Sequence, residues 1–257
     1  MVVLDNLAIG YQTKRGVKVV AHGLNAALHK GQLTCLLGPN GVGKSTLLRT
    51  LSAFQPPLDG RILLAGKPLA TYDSAQLSTM IGIVLTEKPD LRNMTVSELV
   101  AMGRAPYTDF WGTLTKSDRH VVTDSLAVVG IGQLASRTVD TLSDGELQKA
   151  MIAKALAQQT PLIFLDEPTA FLDFPSKAAM MQLLRRLART MQKTIFMSTH
   201  DLEMALQVAD TVWLMEHGQL SIGTPRQLAD SGQLSTFIDR PGITFDPQAL
   251  RVTVACE

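Results

Sequence analysis

Gly38, Gly41, Gly43, Lys44 and Ser45 carry the strongest chemical signal in this chain of 257 residues. The run Gly38-Pro39-Asn40-Gly41-Val42-Gly43-Lys44-Ser45-Thr46 matches G-x-x-x-x-G-K-[ST]. It lies between a short apolar strand, Leu33–Leu37, and Leu47, Leu48 and Leu51, which have the spacing of an apolar helix face. Strand, glycine loop and helix together suit a phosphate chain. The glycines let successive N–H groups turn toward one point, and the helix start adds the positive end of its dipole. Lys44 is then placed for the β- and γ-phosphates and Ser45 for Mg²⁺.

A partner for that loop follows in Leu162-Ile-Phe-Leu-Asp166-Glu167, 122 positions after Lys44 (166 − 44). A carboxylate ending a buried strand sits at the carboxyl edge of a sheet, where nucleotide loops of α/β folds converge. Asp166 is the candidate to hold Mg²⁺ through water. Glu167 is the candidate to orient or deprotonate an attacking water. Strand-end acids also act as plain helix caps, and it is the phosphate loop upstream that favours the catalytic reading.

Between these two lies Leu142-Ser143-Asp144-Gly145-Glu146. Together with Gly38–Thr46, Asp166–Glu167, Ala170-Phe-Leu-Asp173 and Ser198-Thr-His200, in this order, the chain resembles the nucleotide-binding subunit of an ABC transporter. The resemblance covers most of the sequence. It implies a P-loop NTPase core with a mostly parallel sheet and an inserted helical subdomain. It further implies a head-to-tail homodimer sandwiching two ATP molecules, each held by one chain's phosphate loop and the other's signature motif. On the same ground Ser143 and Gly145 face the partner's γ-phosphate, Asp173 belongs to the D-loop, His200 reports the γ-phosphate, and the Tyr11 ring stacks on adenine. Taken alone, Ser143-Asp-Gly-Glu146 also fits a capping box, Tyr11 a surface tyrosine at a strand end, Asp173 a helix cap and His200 a packed or solvent-facing histidine.

Two departures stand out. The family's Leu-Ser-Gly-Gly-Gln has become Leu-Ser-Asp-Gly-Glu, and two carboxylates near a triphosphate would repel it, so Asp144 and Glu146 are expected to cap and not to touch nucleotide. The family's glutamine after the strand ending at Leu85 is missing, and Thr86 and Glu87 stand there. One of these oxygens is expected to replace it as a weak contact to Mg²⁺ or water.

Apolar residues make up 46% of the chain and charged ones 18%, enough for a sizeable core. The balance of 24 Lys+Arg against 23 Asp+Glu offers no net field for nucleic acid or an anionic membrane. Cys35 and Cys256 make no framework for disulfides or metal, which fits a reducing compartment. No stretch approaches a membrane span and the start lacks the pattern of a secretory signal. Further strands are expected at 62–64, 81–85, 162–165, 194–197 and 211–215, and helices at about 176–190 and 202–209. A helical region is expected from about 95 to 158, with Ser117 capping a helix that carries Val121, Val122, Leu126 and Val129 and stops at Gly130. The segment from about Ser231 is left unassigned. The cluster Arg185-Arg-Leu-Ala-Arg189 reads as a solvated helix face. The domain expectation is one nucleotide-binding domain over 1–257, with its core at about 1–87 and 159–240, a helical subdomain at about 88–158 and a tail at about 241–257.

These readings point to an ATPase on the cytoplasmic face of the inner membrane, bound to integral permease subunits near residues 86–110 and indirectly to a substrate-binding protein, with no nucleic acid partner. Met94-Thr-Val-Ser-Glu-Leu-Val-Ala-Met-Gly-Arg-Ala-Pro106 is similar to the lobe of importers for iron-siderophore complexes, haem and cobalamin. The alternative from another class is a soluble ABC ATPase serving as an assembly or scaffold factor, of the iron–sulfur cluster assembly type.

Overall fold

A computed structural model describes residues 2–13, 16–86 and 93–255. Along the chain its elements are β1 (Val2–Thr13), β2 (Gly16–Leu28), β3 (Leu33–Leu37), α1 (Lys44–Leu51), β4 (Asp59–Leu64), β5 (Lys67–Pro68), α2 (Ser74–Met80) and β6 (Ile81–Val84). There follow α3 (Val96–Ala101), α4 (Lys116–Val128), α5 (Asp144–Ala157), β7 (Leu162–Asp166), α6 (Phe174–Thr190), β8 (Thr194–Ser198), α7 (Leu202–Val208) and β9 (Thr211–Glu216). The chain ends with β10 (Gln219–Gly223), α8 (Pro225–Asp230), α9 (Gln233–Ile238), β11 (Ile243–Asp246) and β12 (Arg251–Val254). Among the described residues no helix is long and apolar enough to cross a membrane.

By their internal contacts the residues divide into two compact units, 1–71 with 184–257, and 72–183. In the first, β3 is buried at every position and lies parallel to both β8 and β9, with Leu36 opposite Ser198 and Leu37 opposite Leu214. A strand covered on both faces needs an unbroken apolar run, which Leu-Thr-Cys-Leu-Leu supplies. β10 adds antiparallel to β9. The junction before β9 is held by Asp210, which accepts from the Leu33 N–H at 2.9 Å and from Arg189 at 2.7 Å. A separate antiparallel sheet runs in the order β2-β1-β4-β5.

In the second unit β6 lies parallel to β7, from Ile81 opposite Leu162 to Val84 opposite Leu165. The lobe of α3, α4 and α5 is organised around Arg104, a buried cation in a turn of 3₁₀ helix. Its Nε donates to Asp118 Oδ1 at 2.9 Å, and its Nη1 donates to the Ala157 carbonyl at 2.7 Å and to Gln159 Oε1 at 2.8 Å. The Tyr107 ring lies 4.0 Å from the guanidinium carbon. Such a pair resists its own desolvation only because each partner makes further hydrogen bonds. The unit reaches beyond the lobe expected at 88–158, because β6 and β7 pair with each other and Gln158 donates to the carbonyls of Ser78 and Ile81.

One local expectation is corrected. The cap of α4 is Thr115 and not Ser117, since Thr115 Oγ1 accepts from the Asp118 N–H while the Asp118 carboxylate accepts from the Thr115 N–H. The helix does stop at Gly130, which has φ 74. The unassigned segment after Ser231 contains α9 and the hairpin β11–β12, elements of six and four residues too short to show a period. β10 was not expected at all.

The Thr115 hydroxyl and N–H, followed by Arg104, hold Asp118 at about 2. A carboxylate lowered from its unfolded value near ~4 contributes stability that is present above that value and is lost as pH falls through about 2. Denaturant midpoints should therefore drop between pH 4 and pH 2, and Asp118→Asn should flatten that slope. Arg104→Met should lower the melting temperature at pH 7 by several degrees by leaving Asp118 buried and unpaired.

Candidate functional site

In the first unit the loop between β3 and α1 is shaped by what its glycines exclude. Gly43 caps α1 with φ 116, and a Cβ there would lie 2.1 Å from Val20 Cγ1. A Cβ at Gly38 would lie 2.6 Å from the Met215 carbonyl oxygen of β9. Gly41 is also left-handed, at φ 76, but has open space around it. Two walls therefore press on the loop, one from β9 and one from β2. Val20 reaches it through a β-bulge: Ile9 pairs with Ala21 and Gly10 with Val19, so Val20 is the extra residue. Lys44 is buried, and its Nζ donates to the carbonyls of Gly38 at 2.8 Å and Pro39 at 3.1 Å. Pro39, Asn40, Gly41 and Ser45 are exposed, and Val42, Gly43 and Thr46 are half-buried.

His200 emerges at the same edge as this loop. Ser198 pairs with Leu36, the Thr199 N–H donates to the Leu36 carbonyl at 3.1 Å, and His200 follows, exposed, ahead of α7. Tyr11 lies toward the end of the β1–β2 hairpin where Thr13 pairs with Gly16, and the residue is 42% exposed.

The second unit holds the acidic and signature residues. Asp166 ends β7, and Glu167 follows at φ 48, a left-handed conformation that costs a residue with a Cβ about 1–2 kcal/mol. Thr86 Oγ1 donates to the Asp166 carbonyl at 2.7 Å, so the residue in the glutamine's place ties the end of β6 to the backbone of the acidic pair. Ser143 caps α5. Its Oγ accepts from the Glu146 N–H at 3.3 Å, and its own N–H and hydroxyl donate to Glu146 Oε2 at 2.9 Å each. The Ser143 backbone and side-chain bonds, with Arg137 and Lys149 nearby, hold the Glu146 carboxyl below its ordinary value. Asp173 accepts from the Ser176 N–H at 3.0 Å at the start of α6, and the Ser176 hydroxyl followed by that N–H holds its carboxyl below the ordinary value. A cleft of about 300 Å³ lies between Ser143, Gly145 and Lys149 on one side and Leu172 and Ser176 on the other.

The structure thus brings the phosphate loop and His200 to one sheet edge, Thr86 onto Asp166, and the signature serine to the same cleft as the residues flanking Asp173. Glu87 lies outside the described residues. Lys18 was missed by sequence reasoning: it pairs directly with Tyr11 across the hairpin, a neighbourhood only the register reveals. The donors expected for Mg²⁺, the Ser45 hydroxyl in the first unit and the Asp166 carboxylate in the second, are hard oxygens of the kind that ion takes.

Residues 21–170 match the ABC transporter family model, more than half of the chain. The chain belongs to the ABC transporter family. An uncharacterised ABC transporter ATP-binding protein of Methanocaldococcus jannaschii is 39% identical over 229 residues, covering 89% of this chain and 78% of its own length. The ferric enterobactin transport ATP-binding protein of Escherichia coli is 36% identical over 225 residues, covering 87% and 82%. A dimeric ATP-binding cassette solved in a post-hydrolysis state with ADP and phosphate aligns with a TM-score of 0.76 over 88% of this chain and 99% of that one; at 24% identity it shows the shared fold. ABC cassettes bind and hydrolyse ATP, and the loop of this ABC subunit has the backbone such binding needs.

Gly43→Ala should weaken ATP binding at least tenfold by calorimetry, and Gly41→Ala much less, because only the first substitution collides with Val20. Thr86→Val should lower ATPase kcat and Thr86→Ser restore it, with the half-saturating Mg²⁺ concentration unchanged. A shift in that concentration would show instead that Thr86 contacts the metal.

Proposed function

We propose that this chain is the ATP-hydrolysing subunit of an importer for an iron chelate, haem or cobalamin, working through separate membrane subunits. The observation that carries the ATPase reading is the loop itself: glycines walled in by Val20 and Met215 at the start of α1, with His200 delivered to the same edge by β8. Similarity to the ferric enterobactin subunit favours import over the soluble assembly factor and supports the iron-chelate cargo.

In this reading the loop N–H groups and the α1 dipole receive the phosphate chain, and the Lys44 ammonium turns from the Gly38 and Pro39 carbonyls to the β- and γ-phosphates. Ser45 and Asp166 would hold Mg²⁺, which would supply positive charge against the phosphates. Glu167 accepts the proton of the attacking water or orients it, His200 meets the γ-phosphate, and Tyr11 stacks on the base. Since phosphoryl transfer is catalysed by positioning and charge stabilisation, these residues supply most of what the reaction needs.

The remainder comes from a second copy. The first turn of α5 offers backbone N–H groups to the γ-phosphate of its partner, beside Ser143, Gly145 and Asp173. Glu146 is engaged in its capping box, so its charge is spent on Ser143. The helical subdomain, described here over 93–158, is where permease subunits dock at the cytoplasmic face of the membrane, with a substrate-binding protein reached only through them. In the glutamine's place Thr86 acts through its hydrogen bond to the Asp166 carbonyl, which leaves Glu87 as the candidate to approach Mg²⁺ or its water.

Glu167→Gln should cut ATPase activity by about 100-fold or more while leaving the melting temperature near that of wild type. With Mg²⁺-ATP it should elute from gel filtration as a dimer and without nucleotide as a monomer. Elution as a monomer at every protein and ATP concentration would count against the shared site.

A further inference from the structure

Lys18 is an exposed cation with no role in the readings above. It sits directly opposite Tyr11 in the β1–β2 register, so the two side chains share one face of the hairpin, and its Nζ lies over the Tyr11 ring at 5.7 Å from the centroid. Two residues further along the same strand, about 7 Å away, Val20 touches the phosphate loop at Gly43. Lys18 therefore stands between the ring that receives the base and the glycine beside the phosphates. All of these residues belong to one compact unit.

We propose that Lys18 is a nucleotide-binding residue whose ammonium pairs with the phosphate nearest the ribose. The inference rests on the ATPase reading. A base stacked on Tyr11 and a phosphate tail in the loop leave the first phosphate on the path from Tyr11 to Gly43, within the sweep of a flexible four-carbon stem. Over the ring the ammonium is held by a cation–π attraction that is weak at an exposed site. A phosphate oxygen is the stronger partner, because a charge-assisted hydrogen bond replaces a quadrupole contact. Lys18 would thus move from the ring to the phosphate when nucleotide arrives. This adds affinity for nucleotides that carry a phosphate and none for the base.

The test is calorimetric titration of ATP and ADP, with Mg²⁺, into wild type, Lys18→Met, Lys18→Arg and Lys18→Met combined with Tyr11→Ala. Lys18→Met should raise Kd for both nucleotides roughly three- to tenfold at low salt, with the gap narrowing as salt rises. Lys18→Arg should keep most of the affinity. The same penalty should persist when Tyr11→Ala is the background, since the contact is to phosphate and not to the ring. An unchanged Kd in Lys18→Met would overturn the proposal. So would a penalty that vanishes in the Tyr11→Ala background, which would mean that Lys18 only braces the ring. If wild type binds neither nucleotide, the ATPase reading itself fails, an outcome that differs from both.

Discussion

Converging backbone N–H groups need a loop whose side chains stay out of the way, and this constraint shapes the structure around residues 38–46. No Cβ fits at Gly38 because the Met215 carbonyl is in its place, and none fits at Gly43 because Val20 is there. The loop is therefore a product of three strands as much as of its own sequence. β3 feeds it, β9 walls one side through its parallel pairing with β3, and β2 walls the other through a bulge. Lys44 completes the arrangement from inside, since its ammonium bridges the loop's own carbonyls and keeps a buried charge partnered.

The second unit puts its carboxylates to structural use. Glu146 spends its charge on Ser143 and the start of α5, a stable use for a carboxylate at a helix N-terminus. Glu167 holds a left-handed backbone that a glycine would adopt more easily. Thr86 steadies the neighbouring carbonyl. The departures from the family's motifs at 146 and at 86 thus have structural work that can be named, capping in one case and bracing in the other.

Much of the fold could be read from the chain because parallel strands are short continuous apolar runs and the helices carry clear stop and start residues. Leu33–Leu37, the strands near 162 and 194, and the Gly130 stop are of this kind. The cap of α4 falls two residues before the expected Ser117 because the Thr115 and Ser117 hydroxyls are equally good acceptors for a helix N–H and only the partner carboxylate, Asp118, distinguishes them. The C-terminal helix and hairpin were missed because elements of four to six residues do not complete a period.

By itself the sequence determined the identity of the chemical groups: a glycine loop with its lysine and serine, an acidic pair, a signature serine and a histidine, in an order that names a family. These are local patterns, and spacing along the chain is enough to carry them. Tertiary structure alone decided which groups meet. Val20 against Gly43, Thr86 on the Asp166 carbonyl, Lys18 over Tyr11 and the Arg104–Asp118 pair join residues through strand register and lobe packing. The register is set by hydrogen bonds between distant segments, and no local spacing encodes it.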